Sequence, residues 1–290
     1  ECIKNCGEFI CSIIPSCYKK SRYTTWYLVT IGFIQILYGF GQLVLLGFYY
    51  KQRHSNQISQ HFKILFASCL ALWCHSIWAM MATYYYHANL PVITEQILNG
   101  LGFLMAYLQQ SFYIQTWLRI ILILNKMKSE KTVKIVFPIV DTIISLMMVI
   151  TLIVRAFNGN EQDADFNYYN VVIKIVTTCN ALMAVLFLVI GMLILCKLKQ
   201  YYGFCSKSVQ SFIVVSTSFI ILTLMRFIAL IYKDITGQWI QPQDLFGSLC
   251  YFIPDIFSTV IINVMQIGII KGTFQRSSYS EETPLVNQYQ

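Results

Sequence analysis

Two charged residues stand inside otherwise apolar stretches, where a charge is costly unless it is paired or wetted. Arg226 lies seven residues before Lys233, and Asp255 lies eleven residues after Asp244. On helices these offsets put the two about 10 Å and about 16 Å from one boundary. The flexible arginine stem closes that gap, so an ion pair across two helices is expected. Pro254, just before the aspartate, has no N–H and leaves one carbonyl of the preceding turn without its helical partner. Such a pair beside a helix break has two readings: a ligand or proton site, or a device that fixes how two helices pack. Arg119 and Asp141 form a second candidate pair, six residues before Asn125 and seven after Lys134. Arg119 can equally snorkel to headgroups unaided, as Arg155 is expected to do at its own boundary.

The most polar stretch within an apolar run contains Gln109, Gln110, Ser111, Gln115 and Thr116, flanked by Tyr107 and Tyr113. Asn180, Asn263 and Gln266 add amides elsewhere, and Gln35 and Gln42, seven apart, share a helix face. Gln109, Gln110, Gln115 and Asn263 are therefore candidate walls of a polar cavity. Interhelical hydrogen bonds, at about 0.6–2 kcal/mol each, are the plainer use of such side chains. Gly32, Gly39, Gly41 and Gly47, with Ala67 and Ala71, allow helices to approach closely.

The elements that must position these groups follow from composition. Of 290 residues, 57% are hydrophobic and 12% charged, about half the charge of an average soluble domain. That excludes an ordinary cytosolic enzyme, a disordered chain and, despite the net charge of +8, a nucleic-acid binder. A spanning helix needs about 20 mostly apolar residues. Seven stretches qualify, near 26–50, 62–86, 92–124, 133–157, 171–196, 209–232 and 245–270, with Pro254 taken as the one proline in the middle of a span. The expected fold is all-α, a polytopic membrane protein with a seven-helix transmembrane domain over 26–271. A Cys-rich segment, 1–25, precedes it and a tail, 272–290, follows.

Twelve basic residues fall on one side of these spans: Lys51, Arg53, Lys63, Lys126, Lys128, Lys131, Lys134, Lys197, Lys199, Lys207, Lys271 and Arg276. The opposite loops carry Lys233 against Glu95, Glu161, Asp163, Asp165, Asp234 and Asp244. The asymmetry predicts that the basic side and the C-terminus are cytosolic and the N-terminus extracytosolic. Lys4, Lys19, Lys20 and Arg22 run against it. Cys2, Cys6, Cys11 and Cys17 favour it, as candidate disulfide cysteines of an oxidising compartment. A cytosolic lead-in with acylated cysteines is the alternative. A start at Glu1 fits removal of a signal peptide and fits truncation equally well.

Enzyme and channel templates return little. No H-E-x-x-H, C-x-x-C or G-x-S-x-G occurs. Of His54, His61, His75 and His87, only His75 is well inside a span, which leaves paired-histidine haem ligation unsupported. Asp141 and Asp255 are expected near opposite faces, against a protease dyad. No cofactor, metal or catalytic residue is expected. In the tail, Glu281, Leu285 and Val286 resemble an acidic dileucine signal for cytosolic sorting adaptors. Cys196 and Cys205 are candidates for palmitoylation. Rhodopsin-class marks are missing: the third span ends Trp117-Leu-Arg, and the seventh reads Ile262-Asn-Val-Met-Gln.

A better likeness is carried by Leu37-Tyr38-Gly39 with the run to Lys51, by Gln60-His-Phe-Lys-Ile-Leu-Phe, by Phe219 to Arg226, and by Cys250-Tyr-Phe-Ile-Pro-Asp-Ile-Phe-Ser. Over roughly 26–270 the chain resembles the tobamovirus-multiplication family of seven-helix proteins from plants and protists. Arg226 and Asp255 fall on that family's charged positions, with Asp where Glu is usual, and no acidic residue stands near Arg119. The resemblance implies a non-enzymatic protein of an endomembrane or vacuole that scaffolds partners. Expected partners are the bilayer, anionic lipids at the basic loops, other membrane proteins or a second copy of the chain, in an endomembrane or the plasma membrane. The alternative is a small-solute or proton transporter using polar residues of the third, sixth and seventh spans. A transporter is expected to carry an internal repeat, and none is evident.

Overall fold

Long apolar runs bounded by polar turns leave the backbone one way to satisfy its N–H and C=O groups in lipid, which is helix. A computed structural model describes residues 22–51, 56–88, 92–124, 130–158, 162–202, 207–236, 240 and 243–281, and apart from 240 these are all helical. The elements are α1 (Arg22–Lys51), α2 (Asn56–Ala88), α3 (Val92–Leu124), α4 (Glu130–Asn158), α5 (Gln162–Tyr202) and α6 (Lys207–Thr236). The last apolar stretch is not one continuous α-helix. It runs as α7 (Gln243–Gly247), a π-helical turn (Ser248–Phe252) and α8 (Ile253–Glu281). Cys2, Cys6, Cys11, Cys17, Cys205, Leu285 and Val286 lie outside the described residues, as do the side chains of Arg155 and Glu281.

Among the described residues, five segments are long and apolar enough to cross a membrane: Val29–Tyr50, Ile135–Val154, Lys174–Gln200, Val209–Tyr232 and Leu245–Ile267. These are the apolar helices of a multi-pass integral membrane protein. The two remaining long helices, α2 and α3, carry polar side chains within their apolar sequence, and the packing explains where these go. Helix α3 packs against α2, α4 and α5, while α8 closes on α1, α2 and α6. Between these contacts the bundle buries Ser68, His75, Ser76, Asn99, Gln109, Ser111 and Gln115. Helix α4 is the reverse, with Ile135, Ile139, Ile143, Leu146, Ile150 and Ile153 outward and Asp141, Met148 and Leu152 inward. Apolar exterior and polar interior together suit hydrocarbon as the surrounding solvent.

Two aromatic-rich cores stack along the bundle. One gathers Trp78, Phe103, Met148, Phe246, Tyr251 and Phe252, the other Ile64, Tyr113, Trp117, Phe187, Phe219 and Ile262. Gln35 and Gln42 both bond to α2: Ser76 Oγ donates to Gln35 Oε1 at 3.2 Å, and Gln42 Nε2 donates to Ser68 Oγ at 2.8 Å. Gly39 lies against the Trp73 ring, so the tight α1–α2 seam depends on its missing Cβ. Pro254 is not the only proline inside a helix. Pro138 lies within α4, and its carbonyl accepts from Thr142 Oγ1 at 2.6 Å.

Candidate functional site

Arg226 comes from the middle of α6 and Asp255 from the first turn of α8. The Arg226 Nη2 donates to Asp255 Oδ1 at 2.5 Å. The second carboxylate oxygen is taken by α2, where His75 Nδ1 donates to Asp255 Oδ2, also at 2.5 Å. His75, Arg226 and Asp255 are 0%, 3% and 4% exposed, so one buried cluster ties three helices that are far apart in sequence.

The helix break explains the arginine's other bond. In a regular helix the N–H of residue 254 would donate to the carbonyl of residue 250, four residues earlier. Pro254 has none, and Arg226 Nε donates to the Cys250 carbonyl at 2.8 Å. The π turn over Ser248–Phe252 widens the backbone there, with the Ile253 N–H reaching back to the Ser248 carbonyl, the usual form of a helix irregularity at a proline. One side chain therefore neutralises the aspartate and satisfies the orphaned carbonyl.

Aromatic rings enclose the cluster. The Arg226 guanidinium carbon lies 5.5 Å from the Phe103 ring centre, within cation–π range. His75 meets Phe103 and Tyr251 edge-on, each at 5.2 Å, and Trp78 stacks on Tyr251 at 4.9 Å. Tyr251 also accepts from Asn99 Nδ2 at 3.3 Å. A Cβ on Gly102 would collide with the His75 imidazole, so a glycine at that point of α3 makes room for the ring. Behind the arginine, Gln110, Asn180 and Arg226 border a small void of about 10 Å³, room for about one water molecule.

The other anticipated residues separate. Gln110 faces that void, whereas Gln115 lines a recess beside Asp141. Five residues apart, they point about 140° away from each other around α3. Gln109 is buried on α3, and Asn263 on α8 keeps a buried Oδ1 with no hydrogen-bond partner. Asp141 is not paired with Arg119. Its Oδ1 accepts from Tyr107 and Ser111 hydroxyls at 3.0 and 2.7 Å, and its Oδ2 accepts from Gln115 Nε2 at 2.9 Å. Those positions recur at a four-residue spacing on α3 and present a ladder of donors to one carboxylate, while the buried Nε of Arg119 has no partner. Sequence reasoning noted His75, Tyr107 and Ser111 but missed their pairing, His75 with Asp255 and Tyr107 and Ser111 with Asp141.

Among the described residues, no three His, Cys, Asp or Glu side chains gather in a way that could hold a metal ion. Cys69, Cys74, Cys179, Cys196 and Cys250 are free thiols. The chain matches no protein-family model, and neither the search among curated proteins nor that among solved structures returns a match.

Proposed function

We propose that the chain is a non-enzymatic, receptor-like or scaffolding membrane protein with seven spans, its N-terminus extracytosolic and its C-terminus cytosolic. In this reading the His75–Asp255–Arg226 cluster latches the relative arrangement of α2, α6 and α8. The supporting observation is that the cluster is fully buried and joins three helices where the last span breaks from α-helical bonding. A buried ion pair adds little net stability, because desolvation offsets its attraction, yet losing one partner costs about 3–5 kcal/mol. Such a contact suits a latch between two arrangements, since a shift of a few kcal/mol changes which one is populated. The basic loops would meet anionic lipid and cytosolic partners, and the tail would meet sorting adaptors. The resemblance to the tobamovirus-multiplication family supports an endomembrane scaffold that contacts other membrane proteins or itself; the plasma membrane is the other address consistent with the fold.

The transporter reading keeps one supporting observation, the water-sized void bordered by Gln110, Asn180 and Arg226. Reconstitution into sealed liposomes with an internal pH dye separates the two. The receptor-like reading expects the same proton leak from the unaltered chain and from Asp255→Asn. A flux present in the first and abolished in the second would overturn it.

A further inference from the structure

Asp141 is 6% exposed, and its three hydrogen-bond partners, Tyr107, Ser111 and Gln115, are all neutral. The Tyr107 and Ser111 hydroxyls and the Gln115 amide occupy both carboxyl oxygens, and none of the three brings a positive charge. Among the described residues no cation pairs with it. An unpaired carboxylate at this depth carries a large desolvation cost, and the surroundings indicate what offsets it.

Asp141 borders a recess of about 400 Å³ that reaches Lys63 of α2, a volume in the range of small-molecule pockets. The recess changes character along its length. Lys63, Gln115 and Asp141 line one end, and Leu108, Leu146 and Val149 the other. The two ends lie seven residues apart on α3 and eight apart on α4, about 10–12 Å. Leu146 and Val149 are exposed on the outer face of α4, so the recess opens sideways toward lipid. A polar end holding a carboxyl with no cationic partner, an apolar stretch beyond Thr142 and Ser145 and a lateral mouth together match an amphiphile that arrives from the bilayer.

We infer that this recess binds a single-chain amphiphile with an amino-alcohol head, its primary ammonium on Asp141 and its alkyl chain along Leu108, Leu146 and Val149. The exposed Lys63 ammonium at the same end donates to a hydroxyl of that head and disfavours a head that is only cationic. Recognition rests on charge complementarity at the carboxylate and on the order of polar and apolar groups along the recess. It is independent of the latch proposed for α2, α6 and α8.

The test uses the full chain in a neutral detergent, with sphinganine as the probe and N-acetylsphinganine as its uncharged counterpart, binding being read by native mass spectrometry. The unaltered protein should bind sphinganine about tenfold more tightly than the acetylated form. Asp141→Asn should bring the two within about twofold, and Leu146→Trp, a substitution on the lipid-facing surface, should weaken both by about tenfold or more. Equal binding of the two probes by the unaltered protein would overturn the inference. So would a preference that survives Asp141→Asn, or binding that Leu146→Trp leaves unchanged.

Discussion

Asp255 carries two partners at once, and that doubling decides what substitutions there should do. Replacing it with Asn leaves the Arg226 guanidinium buried without its counter-charge, and the expected cost is about 3–5 kcal/mol. Removing both charges together, as Arg226→Met with Asp255→Leu, should cost less than either single change, because no orphaned charge remains. Thermal unfolding in neutral detergent checks the order, and a double variant less stable than both singles would contradict it. Arg226 and Asp255 were legible in the sequence because a charge inside an apolar run is conspicuous and the arginine stem spans the difference in their depths. His75 was not, since one histidine among apolar residues looks the same whether it is packed or paired and its partner lies 180 positions away. The signal that complements it, Gly102 on a third helix, has meaning only once the helices are assembled.

At the scale of the element, the last span is where local sequence and tertiary contact meet. Pro254 announced an unpaired carbonyl, and the depth arithmetic brought an arginine near it; their convergence on the Cys250 carbonyl follows from both. The π turn was not legible, because the width of the backbone irregularity depends on the rings of Tyr251 and Phe252 finding their places among Trp78, Phe103 and Phe246. Pro254→Ala restores the missing N–H and should let the helix pair the Cys250 carbonyl through its own backbone. Hydrogen exchange should then slow over residues 250–257 relative to the unaltered chain, and unchanged or faster exchange there would count against the account. Helix α3 teaches the opposite lesson. Gln109, Gln110 and Gln115 marked it as a candidate cavity wall, yet Gln115 is spent with Ser111 on Asp141, just as Ser68 and Ser76 of α2 are spent on the α1 seam.

For the whole molecule, the all-helical architecture with several bilayer-length apolar helices was readable from composition and run length alone. The proposed count of seven spans requires α2 and α3 to cross as well, and the proposed direction rests on the placement of lysines and arginines. Epitope tags address the direction. A tag inserted after Gly159 should be reached by antibody on sealed, right-side-out membranes, and one inserted after Lys128 only after permeabilisation; the reverse pattern would invert the topology. What composition could not supply is the coupling between helices, which resides in contacts such as His75–Asp255 and Tyr49–Gln266, the latter joining α1 to α8. The measurement that bears most directly on the latch is the distance between α6 and α8, away from the cluster. Genetically encoded spin labels at Val214 and Val264, both lipid-facing, allow it to be read by pulsed electron resonance in nanodiscs. The unaltered chain should give one narrow distance distribution, and Asp255→Asn a second population at a different distance in a protein that remains helical and monodisperse. A distribution unchanged by Asp255→Asn would contradict the account.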